Sequence, residues 1–134
     1  INKEDFLLID FFTPNEIETE FYLNKKIESD QDIKDAGNEF LDKGVKNIII
    51  TLGSKGVYFA NSNESYFIDA FKLKSDVVDT TGAGDAFNGA LSVALSKDYS
   101  YRDSLVFANK VGGISTTKLG AANAMPTIKE VENY

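Results

Sequence analysis

The sequence contains no cysteine, no histidine and no tryptophan, and these absences exclude several kinds of chemistry. Without cysteine there are no disulfides and no thiolate metal sites, which suits a cytoplasmic protein. Without histidine there is no Ser-His-Asp or Cys-His catalysis and no histidine-bound zinc. The net charge of −7 argues against nucleic acid or an anionic membrane as a partner. No apolar run approaches the roughly 20 residues of a membrane span, and the polar start, residues 1–5, predicts no signal peptide.

The composition is that of an ordinary globular protein, with 134 residues, 43% of them hydrophobic and 26% charged. This length predicts one domain with a sizeable core. Strands alternate with helices along the chain, which indicates an α/β layered fold with a hairpin inserted in the middle. The chain begins without Met and its first predicted strand comes almost at once, so we expect it to be a piece of a longer protein.

Apolar periodicity and capping signals predict the individual elements. Helices are predicted after Thr13 as N-cap, after Ser29, after the turn through Gly82 and Gly84 with Ala86, Phe87, Ala90, Val93 and Ala94 on one face, from Tyr101 to Lys118 after Ser100, and from Thr127. Strands are predicted over residues 6–12, 47–52, 57–60 and 64–68. Residues 47–52 are mostly β-branched and apolar, which favours a central, parallel strand.

The most informative stretch is residues 79–91, which read D-T-T-G-A-G-D-A-F-N-G-A-L. It follows the β-rich pair Val77 and Val78 and turns through two glycines, which let the backbone approach a ligand closely. The first amides of the helix that follows have no acceptor within it, so they predict a seat for an anion, most often a phosphate. Asp85 lies at the rim of that seat, where a carboxylate would repel the phosphate. An isolated GxGD could instead be an ordinary turn with a first-turn aspartate.

The longer pattern resembles the C-terminal signature of the ribokinase family of sugar kinases, the PfkB carbohydrate kinases. The matching positions are Asp79, Thr80, Gly82, Ala83, Gly84, Asp85, Phe87 and Gly89. The resemblance implies a partial three-layer α/β/α, Rossmann-like fold with a mostly parallel sheet and an inserted β-hairpin. It also implies the C-terminal, nucleotide-binding part of the enzyme, without the N-terminal sugar-binding and lid part.

The reaction that this resemblance implies is transfer of the γ-phosphoryl group of ATP to a sugar hydroxyl. In it Asp85 contacts the substrate and acts as the catalytic base, while Gly82, Ala83 and Gly84 form the anion hole, with the amides of residues 83–85 as donors. The remaining ligands are ATP and a small sugar, and a homodimer is the candidate assembly of the longer enzyme.

A second stretch, T-P-N-E-I-E at residues 13–18, carries Asn15 and Glu18 three positions apart on one helix face. An amide oxygen and a carboxylate suit Mg²⁺, which takes one or two protein oxygens and phosphate. A solvated acidic first turn is the structural alternative. The segment resembles the family's T-P-N-x-x-E element, which positions the metal and its phosphate ligands and brings Asn15 to the nucleotide.

A third stretch follows the central strand and can wrap a nucleotide at the sheet edge where ligands bind. It consists of Thr51, Leu52, Gly53, Ser54, Lys55 and Gly56 and resembles the family's T-L-G-x-x-G nucleotide loop. It is also a hairpin turn, and it is not a Walker A motif. In the family, a residue at the Asn109 position lies beside the adenine.

The last stretch is the tail, which with two motif residues resembles a monovalent-cation site of ribokinases, built largely from backbone carbonyls. The positions implied for K⁺ are Asp79, Thr81, Ser115, Lys118, Gly120 and Ala124. Ala124 stands where the family pattern has Ser, and an ordinary C-terminal loop is the alternative.

The predicted function is thus an ATP-dependent sugar kinase, with ribose as the first choice of acceptor and fructose, a nucleoside or a keto-sugar acid open. A non-catalytic nucleotide- or phosphate-binding module is the alternative from another class, and the intact Asp85 argues against it. A glycosidase is disfavoured because no second acidic residue is tied to Asp85 by spacing. These 134 residues alone are expected not to phosphorylate a sugar.

Overall fold

The computed structural model describes residues 4–134, so residues 1–3 of the predicted polar start lie outside the described residues. The chain divides into two compact units, Ile1–Asp69 and Ala70–Tyr134. The length of the sequence alone predicts a single domain. The first unit holds a sheet with two helices, and the second is helical.

The first unit contains a four-stranded sheet in the order β1-β2-β3-β4. Its strands are Phe11–Phe12, Asn47–Thr51, Val57–Asn61 and Ser65–Ile68. Strand β1 is parallel to β2, whereas β2–β3 and β3–β4 are antiparallel. The inserted hairpin is confirmed. The prediction of a mostly parallel sheet is wrong for the described strands, because a turn of a few residues after β2 permits only an antiparallel neighbour.

Two helices, α1 at Glu16–Leu23 and α2 at Asp30–Asp42, bury apolar residues against this sheet. The shared core includes Ile33, Phe40, Ile48, Ile50 and Tyr58. Three consecutive isoleucines of β2 at residues 48–50 are fully buried, which confirms the predicted central strand. The predicted cap of α2 is also confirmed, since the Ser29 side chain accepts a hydrogen bond from the Asp32 amide.

The predicted strand over residues 6–12 is largely wrong. Residues Asp5–Leu8 form a short 3-10 helix, and only Phe11–Phe12 pair as a strand. Phe6 is buried while Leu8 is 84% exposed. A run of apolar residues does not distinguish a strand from a helical turn, and here the turn satisfies local hydrogen bonds before the short pairing with β2 begins.

The second unit is built around two helices, α3 at Ala83–Ser96 and α4 at Tyr101–Ser115, followed by α5 at Ile128–Asn133. Helix α3 buries most of its predicted apolar face, but Val93 is 43% exposed and Leu91 is buried in its place. A Cβ added to Gly112 would lie 3.4 Å from the Cβ of Phe87, so this glycine permits the close approach of α4 to α3.

Helix α4 begins after Ser100 as predicted but ends at Ser115 instead of Lys118. The hydroxyls of Ser115, Thr116 and Thr117 each donate to a carbonyl three residues earlier. Backbone bonds also tighten here to three-residue spacing, since the Thr116 amide donates to the Gly113 carbonyl at 3.1 Å. A tightened last turn of this kind ends a helix.

The apolar pair Val77 and Val78 does not form a strand in the described part of the chain. The Val78 and Asp79 amides both donate to the Thr116 carbonyl just beyond α4, at 2.7 and 3.1 Å. No helix within residues 4–134 has the length and apolar character needed to cross a membrane.

The aromatic core of the first unit predicts a large loss of stability on truncation of Phe40. This side chain is fully buried, and its ring lies 5.2 Å from that of Phe12 and 6.0 Å from that of Phe6. We expect Phe40→Ala to lower the free energy of unfolding by about 3–5 kcal/mol. Urea unfolding measures the change, with Phe21→Ala as the matched control because Phe21 is 81% exposed. Equal effects of the two substitutions would contradict the assignment of the core.

Candidate functional site

Parallel pairing in the first unit continues past β1 and brings two of the predicted stretches together. The Thr51 amide donates to the Pro14 carbonyl at 2.9 Å, and Asn15 and Thr51 form an isolated parallel bridge. Residues 13–18 and 51–56 therefore meet at the carboxyl ends of adjacent strands, where ligands of α/β sheets bind. An ion pair of 3.5 Å between Lys55 Nζ and Glu16 Oε1 also joins them.

Asn15 caps α1, which corrects the prediction of Thr13 as N-cap. The Asn15 Oδ1 accepts from the Glu18 amide at 2.8 Å, and the Glu18 Oε2 accepts from the Asn15 amide at 2.9 Å. This reciprocal arrangement is a capping box. The helix starts later than predicted because the Pro14 carbonyl is used by the pairing with Thr51, which keeps the chain extended up to Asn15.

The same pair is suited by its donor chemistry to Mg²⁺. Both residues are exposed, and the Glu18 Oε1 takes no part in the capping box. The part of the chain that the structure describes holds no cluster of three or more histidine, cysteine, aspartate or glutamate side chains suited to a metal. A Mg²⁺ held here would therefore take few protein oxygens and complete its coordination with phosphate and water, which is its common mode of binding.

The loop after β2 is a tight turn with accessible side chains. Residues Gly53–Lys55 form a 3-10 turn, and the Leu52 amide donates to the Gly56 carbonyl at 2.8 Å. Gly56 has φ 103°, a left-handed value that favours glycine. Residues 53–55 are exposed, so this loop presents its backbone and the Ser54 side chain at the sheet edge.

In the second unit, α3 starts without a side-chain cap. Gly82 is its N-cap residue with φ 78°, and it has no side chain that could accept a hydrogen bond. The other four α-helices within residues 4–134 are all capped by a side chain. Of the three predicted donors, the Ala83 amide already donates to the Thr80 carbonyl at 3.2 Å. The Gly84 and Asp85 amides remain first-turn donors with no acceptor in their own helix.

Space and charge at this helix start are consistent with an anion site. A Cβ placed on Gly84 would meet no atom within 4 Å, so the region in front of this residue is open. The Asp85 side chain is exposed in the first turn. The positive end of the helix dipole favours an anion here. The predicted phosphate seat thus has the required backbone geometry.

Asp79 joins this motif to the tail of the chain. Its Oδ1 accepts from the Thr81 amide and its Oδ2 from the Gly120 amide, both at 2.9 Å. The hydrogen bonds from Thr81, followed by that from Gly120, hold the pKa of Asp79 below its usual value, because they stabilise the ionised form. Three residues of the predicted K⁺ set are therefore neighbours.

The other predicted K⁺ residues use their side chains elsewhere. The Ser115 hydroxyl donates to the Gly112 carbonyl at 2.7 Å, and Ala124 is fully buried. The Lys118 ammonium pairs with the carboxylate of Glu130, and this contact, together with the hydrogen bonds from Thr127, lowers the pKa of Glu130 to about 2. Ala124 has no side-chain oxygen and the Lys118 side chain is a cation, so these two could contribute only main-chain carbonyls, which is the kind of ligand predicted. Asn109 is half-buried on α4.

A profile described as pfkB family carbohydrate kinase matches residues 4–128. The chain belongs to this family. The ribokinase of Staphylococcus aureus is 41% identical to it over 125 residues, 92% of the chain. The ribokinase of Haemophilus influenzae is 37% identical over 134 residues, 100% of the chain.

Solved structures of pfkB-type enzymes agree with the fold. A ribokinase from Thermotoga maritima matches 99% of this chain with a TM-score of 0.88 and 40% identity, and the chain covers 44% of it. The Arabidopsis thaliana ribokinase complexed with ribose and ATP matches 99% of this chain with a TM-score of 0.93 and 32% identity, and the chain covers 43% of it. The predicted partial ribokinase-like fold is confirmed.

This pfkB segment is short relative to its relatives. It spans 40% of the Staphylococcus aureus ribokinase and 43% of the Haemophilus influenzae ribokinase. Its placement in the C-terminal part of a longer kinase stays a prediction.

Two glycines of the pfkB motif should respond differently to alanine. Gly82 has a left-handed φ, and its added Cβ would lie 3.0 Å from the Ala121 Cβ. We expect Gly82→Ala to destabilise the protein by about 1–2 kcal/mol, the cost of a left-handed conformation for an L-residue. Gly84→Ala, in open space, should stabilise it by up to about 1 kcal/mol because alanine favours a helix.

Denaturant unfolding compares these two variants directly. A Gly82→Ala protein as stable as the Gly84→Ala protein would show that the left-handed turn into α3 is not required.

Proposed function

We propose that the full-length protein is an ATP-dependent sugar kinase, with ribose as the preferred acceptor. The observation that carries this proposal is the uncapped start of α3 with an exposed carboxylate in its first turn. Membership of a carbohydrate kinase family and ribokinase relatives above 35% identity support it.

Asp85 is the proposed catalytic base. It accepts the proton of the sugar hydroxyl as that oxygen forms a bond to the γ-phosphorus of ATP. The bond between the γ-phosphorus and the β–γ bridging oxygen breaks, and ADP leaves. The Gly84 and Asp85 amides, with the glycine turn at residues 82–84, hold the oxygens of the transferring group, where donors fixed in place stabilise developing charge.

The nucleotide and its metal are assigned to the remaining stretches. Residues 51–56 and Asn109 hold the nucleotide, and the side-chain oxygens of Asn15 and Glu18 would hold Mg²⁺. When bound, Mg²⁺ would supply positive charge that neutralises the phosphate oxygens. The structure of an Escherichia coli protein described as a putative ribokinase II, 27% identical to this chain, is in complex with ATP and Mg²⁺.

The proposal also includes a bound cation, a cellular location and an assembly. A K⁺ ion beside Asp79, Thr81 and Gly120, a cytoplasmic location and a homodimeric assembly stay predictions. Ribose is preferred among the acceptors because the relatives described above are ribokinases. A phosphate-binding module without catalysis is the alternative, and the carboxylate of Asp85 at an anion seat has no use in it.

Asp85→Asn tests the catalytic base. The amide keeps the size of the side chain but cannot accept the proton, so we expect kcat to fall by about 10²–10⁴-fold. Nucleotide affinity should hold or increase, since a negative charge beside the phosphate seat is lost. Asp98→Asn, at an exposed carboxylate in the same unit, is the control. Coupled ADP-release kinetics with ribose give the result, and a decrease of less than tenfold in kcat would refute the assignment.

Glu18→Gln tests the metal site without removing the helix cap. Glutamine can serve in a capping box, so α1 should keep its start, whereas the charge that attracts Mg²⁺ is lost. We expect a higher Mg²⁺ concentration for half-maximal rate and unchanged binding of metal-free nucleotide. Glu28→Gln, at an exposed position, is the matched control. A Mg²⁺ titration of Glu18→Gln that superimposes on that of the unaltered protein would count against this metal site.

A further inference from the structure

Helix α5 and its C-cap residue Tyr134 together contact both segments that hold Asp79, although they carry none of the predicted site residues. We call residues 74–81, which lead into α3, the motif loop. Residues 116–127, which follow α4, are the tail loop. Asp79 links the two through the Thr81 amide and the Gly120 amide. Contacts that hold both loops in place should therefore also hold the first residues of α3 in place.

Tyr134 holds the beginning of the motif loop. Its hydroxyl oxygen accepts hydrogen bonds from the Lys74 and Ser75 amides, at 3.1 and 3.2 Å. The Lys74 ammonium lies 5.4 Å from the centre of the Tyr134 ring, and the Phe71 ring lies 5.9 Å from it. Two amides, a cation and a ring thus converge on one side chain, which fixes a segment that has no regular structure of its own.

Glu130 holds the tail loop by two kinds of contact. Its carboxylate pairs with the Lys118 ammonium, two residues before the Gly120 amide that donates to Asp79. Its Oε2 also accepts from the Thr127 amide at 2.7 Å, which closes the capping box of α5. Val131 between these residues is buried, so the helix is anchored in the unit and not merely resting on its surface.

We propose that α5 is a brace for the phosphate seat, in which Tyr134 and Glu130 are positioning residues that act through Asp79. This proposal rests on the proposed kinase function for its effect on turnover. The contacts that carry it can be tested without catalysis. Neither residue touches the reacting atoms. Their effect is to keep the turn at Gly82 and the first amides of α3 in the place where the transferring phosphoryl group would bind.

Two conservative substitutions separate the brace from the fold of α5. Tyr134→Phe removes the hydroxyl that accepts the two amides and keeps the ring. Glu130→Gln removes the charge that pairs with Lys118 and keeps an acceptor for the capping box. Tyr99→Phe and Glu132→Gln, both at exposed positions of the second unit, are the matched controls. If Glu130→Gln fails to fold, Lys118→Met breaks the same ion pair.

The first measurement is residue-resolved amide hydrogen exchange in the full-length protein, with no ligand added. Tyr134→Phe should speed exchange at Lys74 and Ser75, which lose their acceptor, and also at Thr81, which it reaches only through the motif loop. Glu130→Gln should speed exchange at Gly120 by about twofold to fivefold, the range that an exposed ion pair supplies. Exchange in the middle of α4 should not change.

The second measurement is kinetic and examines the coupling to Asp79. We expect each variant to lower kcat by about twofold to fivefold and to leave KM for the sugar unchanged, because an anion seat acts on the transferring group. In an Asp79→Ala background the Tyr134→Phe effect should shrink towards none, because alanine removes both oxygens that accept from Thr81 and Gly120. A general loss of stability would instead add to the effect of Asp79→Ala.

Three results decide the proposal. Faster exchange at Lys74 and Ser75 with unchanged Thr81 and Gly120 would overturn it, since the brace would then end before Asp79. Additive effects of Tyr134→Phe and Asp79→Ala on kcat would also overturn it. If the unaltered protein phosphorylates no sugar, the proposed function fails, and the exchange at Thr81 and Gly120 alone decides whether α5 braces the motif.

Discussion

Backbone amides at helix starts and in turns must find acceptors, and in this chain polar side chains of the motifs supply them. Asn15 and Glu18 satisfy each other's amides, and Asp79 accepts from Thr81 and Gly120. Farther along, Glu130 and Tyr134 accept amides of the tail and motif loops. Residues that resemble ligand-binding elements therefore also hold the backbone, and their spacing in the sequence reflects both requirements.

The start of α3 does not follow this rule, because no side chain caps it. A glycine stands where the other α-helices of the described chain have a capping side chain, so first-turn donors are left for something outside the helix. A glycine in place of a capping side chain costs a few tenths of a kcal/mol of helix stability. An anion at this position would offset that cost. Because the chain belongs to a family of carbohydrate kinases, a phosphate group of a nucleotide is the first anion to consider.

Local signals in the sequence predicted much of the fold, and non-local contacts account for the errors. Ser29 and Ser100 are recognisable as caps because each is followed directly by its own helix, and a helix is likewise predicted from Thr127. Thr13 was a wrong choice because the pairing between Pro14 and Thr51 joins residues far apart in the chain. The site residues could be named from the motifs, but the bond from Gly120 to Asp79 and the contacts of Tyr134 depend on tertiary packing that no spacing indicates.

The motif contains residues that the fold requires and others that it does not. Gly82 is required by its left-handed φ and by the closeness of Ala121. Gly84 has a helical conformation and open space around it, so alanine would fit and would favour the helix. Asp85 is exposed in the same turn. Folding alone explains neither the glycine at position 84 nor the carboxylate at position 85, so these two positions give the most direct support to the proposed anion site.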